Sequence, residues 1–369
     1  MSKIKIMHFV SGLISGGVEE MLYNYCKYLD HEKYEFIVVY QHKPVETCIA
    51  KIESIGCRTK RITARNENFF GNIRDSIAII KDEKPDIVHT HMNLMNFCAL
   101  YAAKKCGVQV RISHSHIAEK NKGPFFCMMA YICKKLCIKY ATDLLACGIE
   151  AGKYLYGKAM KKGKVTILEN AIDLQYFQKD EILEKQFREK YEVLNKFIIG
   201  HVGRFSYQKN HEKLLGIFHE ILKIKENAVL LLVGTGELEE QIKKKAEELN
   251  ISDKVIFYGT TSNMKEIYSV IDVFVLPSRF EGFPVVSIEI QAADIPAVFS
   301  NTIAQSCKIT EAIKFCDLKL SDDQWAQVVI EHYQKFKTSD LTELYKLYDI
   351  KSKVKKLDEI YEKEYLLNI

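Results

Sequence analysis

The stretch FIIGHVGRFSYQKNHEKLL, residues 197–215, contains the unit from which this chain is built. Its first six residues are mostly apolar, which predicts a buried strand, and Gly203 with the polar residues behind it predicts a loop. The residues after Asn210 have the spacing of an amphipathic helix. A buried strand that leads through a loop into a helix is the unit of a parallel sheet covered by helices on both faces.

The same alternation of strand-like and helix-like segments runs through both halves of the chain. Near-continuously apolar strands of this kind predict two α/β, doubly wound parallel sheets. The predicted strands are KIKIMHFV (3–10), YEFIVVYQ (34–41), CRTKRIT (57–63), DIVHTH (86–91), QVRISH (109–114), DLLACG (143–148) and KVTILEN (164–170), then FIIGHVGR (197–204), AVLLLVG (228–234), KVIFYG (254–259), VFVLPS (273–278) and PAVFSN (296–301).

Length and composition predict two soluble domains. A chain of 369 residues suits two domains at about 150 residues each. We place a first Rossmann-like domain at 1–173 and a second at 196–345, facing each other across a cleft. The charged segment 174–195 is the predicted linker, and a C-terminal helix within 346–369 is expected to cross back to the first domain. Ligands of such sheets bind outside the carboxyl ends of the strands.

The eleven cysteines are odd in number and scattered, which is typical of reduced thiols in a cytosolic protein rather than of disulfides or a zinc site. The start of the chain has no signal-peptide pattern, and no run of about 18 apolar residues could span a bilayer. We therefore expect a cytoplasmic protein.

The positive charge of the chain is concentrated in residues 103–165. Thirteen Lys or Arg against three acidic residues give this region 13 − 3 = +10, while the whole chain carries +5. A solvated basic face is one interpretation. The interleaving of apolar residues with lysines in GPFFCMMAYICKKLCIKYATDLL (123–145) indicates instead a peripheral contact with anionic lipid. No nucleic-acid-binding pattern accompanies the charge, so no nucleic-acid partner is predicted.

Small and imidazole-bearing residues follow the strands of the first half. Gly16 and Gly17 precede a helix, where glycine lets a ligand approach the free backbone amides, although a ligand-free tight turn is also common. Two neighbouring strand ends carry four histidines, His89, His91, His114 and His116. Metal binding is one interpretation, but acids and thiols in ligand spacing are lacking. We favour one histidine as a polar contact to a substrate.

In the second half, Arg204 and Lys209 flank a strand end and a helix start, an arrangement that suits a diphosphate. The stretch RFEGFPVVSIEIQAAD (279–294) places Glu281 on a loop and Glu289 on the apolar face of the next helix. A carboxylate in such surroundings needs hydrogen-bond donors. The hydroxyl groups of a sugar and a ribose, joined by a diphosphate, would supply them at both ends.

Taken together and in this order, these motifs resemble the retaining glycosyltransferases of the two-domain GT-B fold, in the large family called group 1 or family 4. The motifs are Gly16-Gly17, the fifth-strand histidines, ENAID (169–173), Arg204 with Lys209, VGTGE (233–237) and the E-x7-E pair Glu281 and Glu289. The segments RISHSH (111–116) and SNTIAQSCKIT (300–310), with Trp325, resemble the branch that builds capsular or exported polysaccharide in bacteria.

The resemblance implies roles for individual residues. Arg204 and Lys209 would neutralise the diphosphate of a nucleotide sugar, Glu281 would contact the donor sugar and Glu289 the ribose. His114 or His116 would contact the sugar, with His114 favoured because Ser115 follows it. These five catalytic candidates, His114, His116, Arg204, Lys209 and Glu281, are joined by a predicted donor-binding set of Gly16, Gly17, Gly203, Gly282, Phe283, Pro284, Val285 and Glu289.

The expected activity is transfer of a sugar, with retention, from a nucleotide diphosphate sugar, with UDP as the expected nucleotide, to a lipid-linked glycan or polysaccharide at the inner face of the cell membrane. Hexosyl transfer without metal or cofactor is expected, because no D-x-D motif occurs and two cations would replace the metal. A sugar-nucleotide epimerase of the same fold and an inactive binding homologue are the alternatives. The glycine pair usual after the last strand is missing from SNTIAQSCKITEAIKF (300–315), which leaves the sugar open.

Overall fold

The computed structural model describes residues 3–14, 16–116, 123–281 and 283–366. In this part of the chain the strands are β1 (Ile4–Phe9), β2 (Tyr34–Tyr40), β3 (Arg58–Arg61), β4 (Ile87–Thr90), β5 (Val110–Ser115), β6 (Asp143–Ala146), β7 (Thr166–Ile167), β8 (Phe197–Val202), β9 (Ala228–Val233), β10 (Val255–Gly259), β11 (Val273–Leu276), β12 (Ala297–Ser300) and β13 (Ile313–Cys316). All twelve predicted strands are confirmed. The short β13, in which only the first and last residues are buried, is not predicted by the sequence.

Helices connect the strands. They are α1 (Gly17–Tyr28), α2 (Glu46–Glu53), α3 (Phe69–Glu83), α4 (Asn96–Lys105), α5 (Gly123–Tyr140), α6 (Ile149–Tyr156), α7 (Lys158–Lys161), α8 (Glu181–Lys190), α9 (His211–Ile224), α10 (Glu239–Glu248), α11 (Met264–Val270), α12 (Val286–Ala292), α13 (Asp322–Lys335), α14 (Thr342–Tyr348) and α15 (Ile350–Leu366). Among the described residues, no helix is both long enough and apolar enough to cross a membrane.

The chain forms two compact units, the first comprising Met1–Ile172 with Ile350–Ile369 and the second Asp173–Asp349. Within the described residues the first unit contains a seven-stranded sheet in the order β3-β2-β1-β4-β5-β6-β7, and the second a six-stranded sheet in the order β10-β9-β8-β11-β12-β13. Every strand pair is parallel in both sheets. The fold class predicted from the strand pattern, two doubly wound α/β units, is therefore confirmed.

Burial on both faces explains why the central strands are so apolar. All six residues of β9 are buried, and so are the first five of β8. The edge strand β3, with the sequence RTKR, has no fully buried residue. Charged side chains on such an edge discourage pairing with another chain.

The predicted linker, residues 174–195, is an integral part of the second unit. Its helix α8 buries Phe187 completely, and Arg188 lies 3.5 Å from Asp272 as an ion pair. The Asp180 side chain accepts hydrogen bonds from the backbone of Ile182 and Leu183 and so caps the helix. The sequence conceals this packing because α8 is anchored by few apolar residues.

The C-terminal helix α15 packs within the first unit. Its buried Tyr361 bonds His89 through the phenol oxygen and imidazole Nδ1, 2.8 Å apart. Asp358 accepts hydrogen bonds from Lys33 at 2.7 Å and from the Tyr34 hydroxyl at 2.6 Å. Half-buried ion pairs and an aromatic anchor therefore hold this helix, which belongs to the unit that contains the N-terminal residues.

Candidate active site

Each sheet has a topological switch point, where neighbouring strands are followed by connections that run in opposite directions. In the second unit this point lies between β8 and β11. The loop after β8 contains Gly203, Arg204 and Lys209, and the loop after β11 contains Glu281. Ligands of open parallel sheets bind at such crevices, beyond the carboxyl ends of the strands.

A largely buried ion pair joins these two loops. Lys209 Nζ lies 2.7 Å from Glu281 Oε1, with 15% and 10% of the side chains exposed. Gln208 Nε2 donates a hydrogen bond of 2.9 Å to Glu281 Oε2, and Ser278 Oγ donates one of 3.2 Å to Oε1. Three donors therefore fix this carboxylate. The sequence analysis missed Gln208 and Ser278, although each lies within three residues of a predicted site residue.

Three glycines lie where the loops after β8 and β9 pass close to neighbouring atoms. A Cβ at Gly203 would lie 2.9 Å from Lys209 Cε, so glycine leaves the path of the lysine side chain open. A Cβ at Gly234 would lie 2.2 Å from the carbonyl oxygen of Gly203, and one at Gly236 would lie 2.4 Å from that of Phe205. The VGTGE motif therefore has a packing function, which is to let the loop after β9 lie against the loop after β8.

Arg204 is not part of the buried pair with Lys209 and Glu281. Its guanidinium Nε lies 3.1 Å from Glu237 Oε2, and both side chains are more than half exposed. An exposed pair of this kind contributes little to stability. Arg204 can consequently change partners at little cost in free energy.

Glu289 lies on α12 and accepts a hydrogen bond from the buried hydroxyl of Tyr268. Burial and the charge of Glu289 raise the pKa of Tyr268 well above its usual value, so the phenol remains a donor. Tyr268 therefore supplies the hydrogen-bond donor that the Glu289 carboxylate needs on the apolar face of α12. Tyr268 precedes β11 in sequence, and no motif in the chain points to it.

The residues between the two glutamates lie partly at the surface. Phe283 is 38% exposed and its ring centroid is 5.6 Å from that of Tyr348. Pro284 is buried, and its carbonyl accepts hydrogen bonds from the backbone and hydroxyl of Ser287. Val285 is half-buried directly before α12, whereas the predicted contact Gly282 lies outside the described residues.

In the first unit the switch point lies between β1 and β4. Gly16 is the N-cap of α1 and Gly17 its first residue. A Cβ at Gly16 would lie 2.6 Å from the carboxylate of Glu19, whose pKa is raised by burial. The predicted glycine pair thus lies at the beginning of α1, the first helix after β1.

Five histidines form a continuous cluster in the first unit, on β1, β4 and β5 and at the residues just beyond the ends of β4 and β5. His8 Nδ1 lies 3.0 Å from His91 Nε2, and His91 Nδ1 lies 3.0 Å from His116 Nε2. The rings of His89 and His114 stack with centroids 5.4 Å apart. The sequence correctly groups four of these residues. It misses His8, which the pairing of His8 with His89 brings into the group.

Burial keeps the cluster uncharged at neutral pH. It lowers the pKa of His116 and of His8 to about 3, and the pKa of His114 lies well below its usual value for the same reason. His114 is completely buried, and its ring nitrogens make no well-formed hydrogen bond within the described residues, although the Leu168 backbone lies near the ring. The two histidines predicted to contact sugar are therefore neutral and lie together.

Two doubly wound α/β units, each with a topological switch point, place the chain in the class of α/β proteins whose sheets bind ligands at the carboxyl ends of the strands. Comparisons with known proteins give the family. The profile of glycosyl transferases group 1 matches residues 184–333, and that of glycosyltransferase family 4 matches residues 15–176. The protein EpsF of Bacillus subtilis, described as a glycosyltransferase, is 31% identical over 82% of this chain and 81% of its own.

Two further similarities extend over most of the chain. An Escherichia coli UDP-Gal:α-D-GlcNAc-diphosphoundecaprenol α-1,3-galactosyltransferase is 26% identical over 87% of this chain and 85% of its own. The crystal structure of Anabaena HepE in complex with UDP has the same fold, with a TM-score of 0.79 at 15% identity over 97% of this chain and all of that one.

The chain is therefore a member of the group 1 and family 4 glycosyltransferases, in the branch that includes capsular polysaccharide biosynthesis glycosyltransferases of Staphylococcus aureus.

Proposed function

We propose that this glycosyltransferase moves a hexose, with retention, from a UDP-sugar to a lipid-linked glycan or polysaccharide at the cytoplasmic face of the membrane. The observation that carries the proposal is the buried Lys209–Glu281 pair at the switch point of the second unit. It places a cation and an acceptor of sugar hydroxyl protons beside each other, where a ligand of such a sheet binds.

Lys209 stabilises the leaving group in this proposal. The bond between sugar C1 and the β-phosphate oxygen breaks, and its electron pair passes to the diphosphate. The acceptor hydroxyl attacks C1 from the same face, and its proton passes to the departing phosphate oxygen. A fixed ammonium group with little exposure to water stabilises the charge that develops on the diphosphate. Arg204, which has only an exposed partner, supplies the second cation.

Glu281 and Glu289 hold the two ends of the donor. Glu281 is oriented by Lys209, Gln208 and Ser278, so its oxygens are fixed for hydroxyl groups of the sugar. Glu289 is oriented by Tyr268 and receives the ribose hydroxyls. The backbone at 283–285 packs against the sugar, and Gly203 keeps the lysine path open. Gly16 and Gly17 of the first unit approach the acceptor. In this proposal no metal bridges the diphosphate.

A lipid-linked acceptor is supported by the surface of α5 in the first unit. Phe125 is 73% exposed, Met128 54% and Ile132 44%, although all three are apolar. Lys135 and Lys139 are exposed on the same helix. Apolar side chains flanked by lysines are typical of a helix that lies in the interface of an anionic bilayer. The E. coli relative is named for an acceptor on diphosphoundecaprenol, which is a membrane lipid. Residues 117–122 of the predicted basic region lie outside the described residues.

We expect the wild-type protein to sediment at low salt with vesicles that contain phosphatidylglycerol. The double variant Lys135→Gln/Lys139→Gln should bind these vesicles about 30-fold more weakly, because each lysine contributes about 1 kcal/mol near an anionic surface. Phe125→Ser should weaken binding further and independently of salt. Lys243→Gln/Lys245→Gln on α10 of the second unit removes the same charge and serves as control. Equal losses in both lysine variants, or a wild type that stays in the supernatant, would rule out this surface.

The transfer itself is tested with a panel of nucleotide sugars and a bacterial lipid extract. We expect one UDP-sugar to release UDP only when lipid is present, a product whose anomeric configuration by NMR equals that of the donor, and an unchanged rate in EDTA. An inverted product would refute retention, and loss of activity in EDTA that Mg²⁺ or Mn²⁺ restores would refute metal-independent transfer. Conversion of the donor sugar without lipid would identify an epimerase. Donor binding without turnover on any lipid would identify an inactive homologue.

A further inference from the structure

We propose that His91, His114 and His116 form a binding site for a transition-metal ion of the Zn²⁺ type. One ligand nitrogen from each of these three residues lies within 4.8 Å of the other two. A tetrahedral zinc ion with three imidazole ligands needs nitrogens about 3.4 Å apart, given Zn–N bonds of about 2.1 Å. The ligand nitrogens would therefore have to approach one another by at most about 1.4 Å, the difference between 4.8 Å and about 3.4 Å.

The unpartnered nitrogens of the cluster point to a ligand. Nδ1 of His116 is buried without a hydrogen-bond partner within the described residues, and the ring of His114 makes no well-formed hydrogen bond there, although the Leu168 backbone lies near it. His114 is 0% exposed, so its ring is shielded from bulk water. A buried polar atom left without a partner destabilises the folded protein. A metal ion coordinated by these rings would remove part of that cost.

The chemistry of the donor set selects the metal. Neutral imidazoles suit Zn²⁺, Co²⁺, Ni²⁺ and Cu²⁺, whereas Mg²⁺ and Ca²⁺ require oxygen ligands. Three protein ligands leave a fourth position for water or another oxygen ligand.

His8 completes the arrangement as an outer partner. If His91 coordinates through Nδ1, its Nε2–H donates to His8 Nδ1 at 3.0 Å, and His8 Nε2 faces Cys26 Sγ at 3.9 Å. Metal-binding histidines usually donate their second N–H to such a partner, which fixes the tautomer. A second triple, His8, His89 and His91, also lies within 4.8 Å. It is disfavoured because His89 Nδ1 is bonded to Tyr361 and both nitrogens of His8 have neighbours, so His89 Nε2 is the one nitrogen of this triple without a partner within the described residues.

The test titrates Co²⁺, Zn²⁺ and Ni²⁺ into the full-length protein after EDTA treatment, in reducing buffer. We expect one ion per chain, a rise in melting temperature and the visible absorption of tetrahedral Co²⁺. His116→Gln, which changes a half-buried ring, should abolish this absorption, and His8→Gln should weaken binding by about 10-fold. His201→Gln, a buried histidine of the second unit, should leave binding unchanged.

The proposal is overturned if the wild type binds no ion, or if His116→Gln binds as tightly as the wild type. Near-ultraviolet charge transfer from thiolate to Co²⁺ would also overturn it, because it would place the metal on cysteines. The metal titration needs no sugar donor, so its outcome does not depend on the transfer reaction.

Discussion

Replacing Lys209 by methionine should lower kcat/KM for the nucleotide sugar by about 1,000-fold, since removal of one fixed donor to a developing charge costs about 10²–10³ in rate. The substitution also leaves the Glu281 carboxylate without its ion-pair partner in surroundings where it is only 10% exposed. Breaking a buried pair in this way should lower the free energy of unfolding by about 3 kcal/mol. UDP release and urea unfolding measure the two effects separately.

A second substitution separates catalysis from folding. In Lys209→Met/Glu281→Gln both charges are gone, and the glutamine can keep hydrogen bonds with Gln208 and Ser278. We expect the stability to return close to that of the wild type while activity stays at the level of the single variant or below. Recovery of activity along with stability would show that Lys209 acts only in folding.

Lys213→Met is a matched control on the same helix region. Lys213 Nζ lies 2.7 Å from Asp322, and the lysine side chain is 18% exposed, so the pair resembles that of Lys209 in distance and lysine burial. Its loss should lower stability and leave kcat/KM within a few-fold of the wild type. A 1,000-fold loss in this control would mean that activity reports on the general integrity of the second unit.

Replacing Gly234 by alanine should destabilise the second unit by at least about 3 kcal/mol. The φ angle of Gly234 is +139°, which disfavours any residue with a Cβ, and the new methyl would lie 2.2 Å from the backbone carbonyl oxygen of Gly203. Strained backbone costs about 1–3 kcal/mol, and overpacking against a rigid neighbour costs a similar amount. The loop that leads to Lys209 would have to move.

Trp325 reports on this change. It is the one tryptophan in the chain, is completely buried, and donates from Nε1 to the Asp317 carbonyl at 2.9 Å in the second unit. Its fluorescence during urea unfolding measures the stability of that unit.

Gly259→Ala is the control, because the φ angle of Gly259 is +78° but nothing lies within 4 Å of the new Cβ. This variant should lower the free energy of unfolding by only about 1 kcal/mol. Equal costs for both variants would contradict the close approach at Gly234.

Sequence by itself determined the fold class and most of the candidate site residues. Strands such as AVLLLVG are buried on both faces and are therefore almost entirely apolar. This pattern can be recognised in each segment by itself. The E-x7-E pair is equally local, because a loop followed by a helix fixes where Glu281 and Glu289 lie relative to each other. Patterns within a few residues of each other are set by local geometry, and local geometry can be predicted.

Only the tertiary structure decided which of these residues meet. Lys209 and Glu281 are 72 positions apart and pair because β8 and β11 are neighbours in the sheet, whereas Arg204 pairs with the exposed Glu237. His8 joins the other histidines because β1 lies beside β4. The packing of α8 into the second unit is likewise long-range. The order of strands depends on the packing free energy of the whole unit, and no single segment of sequence contains that quantity.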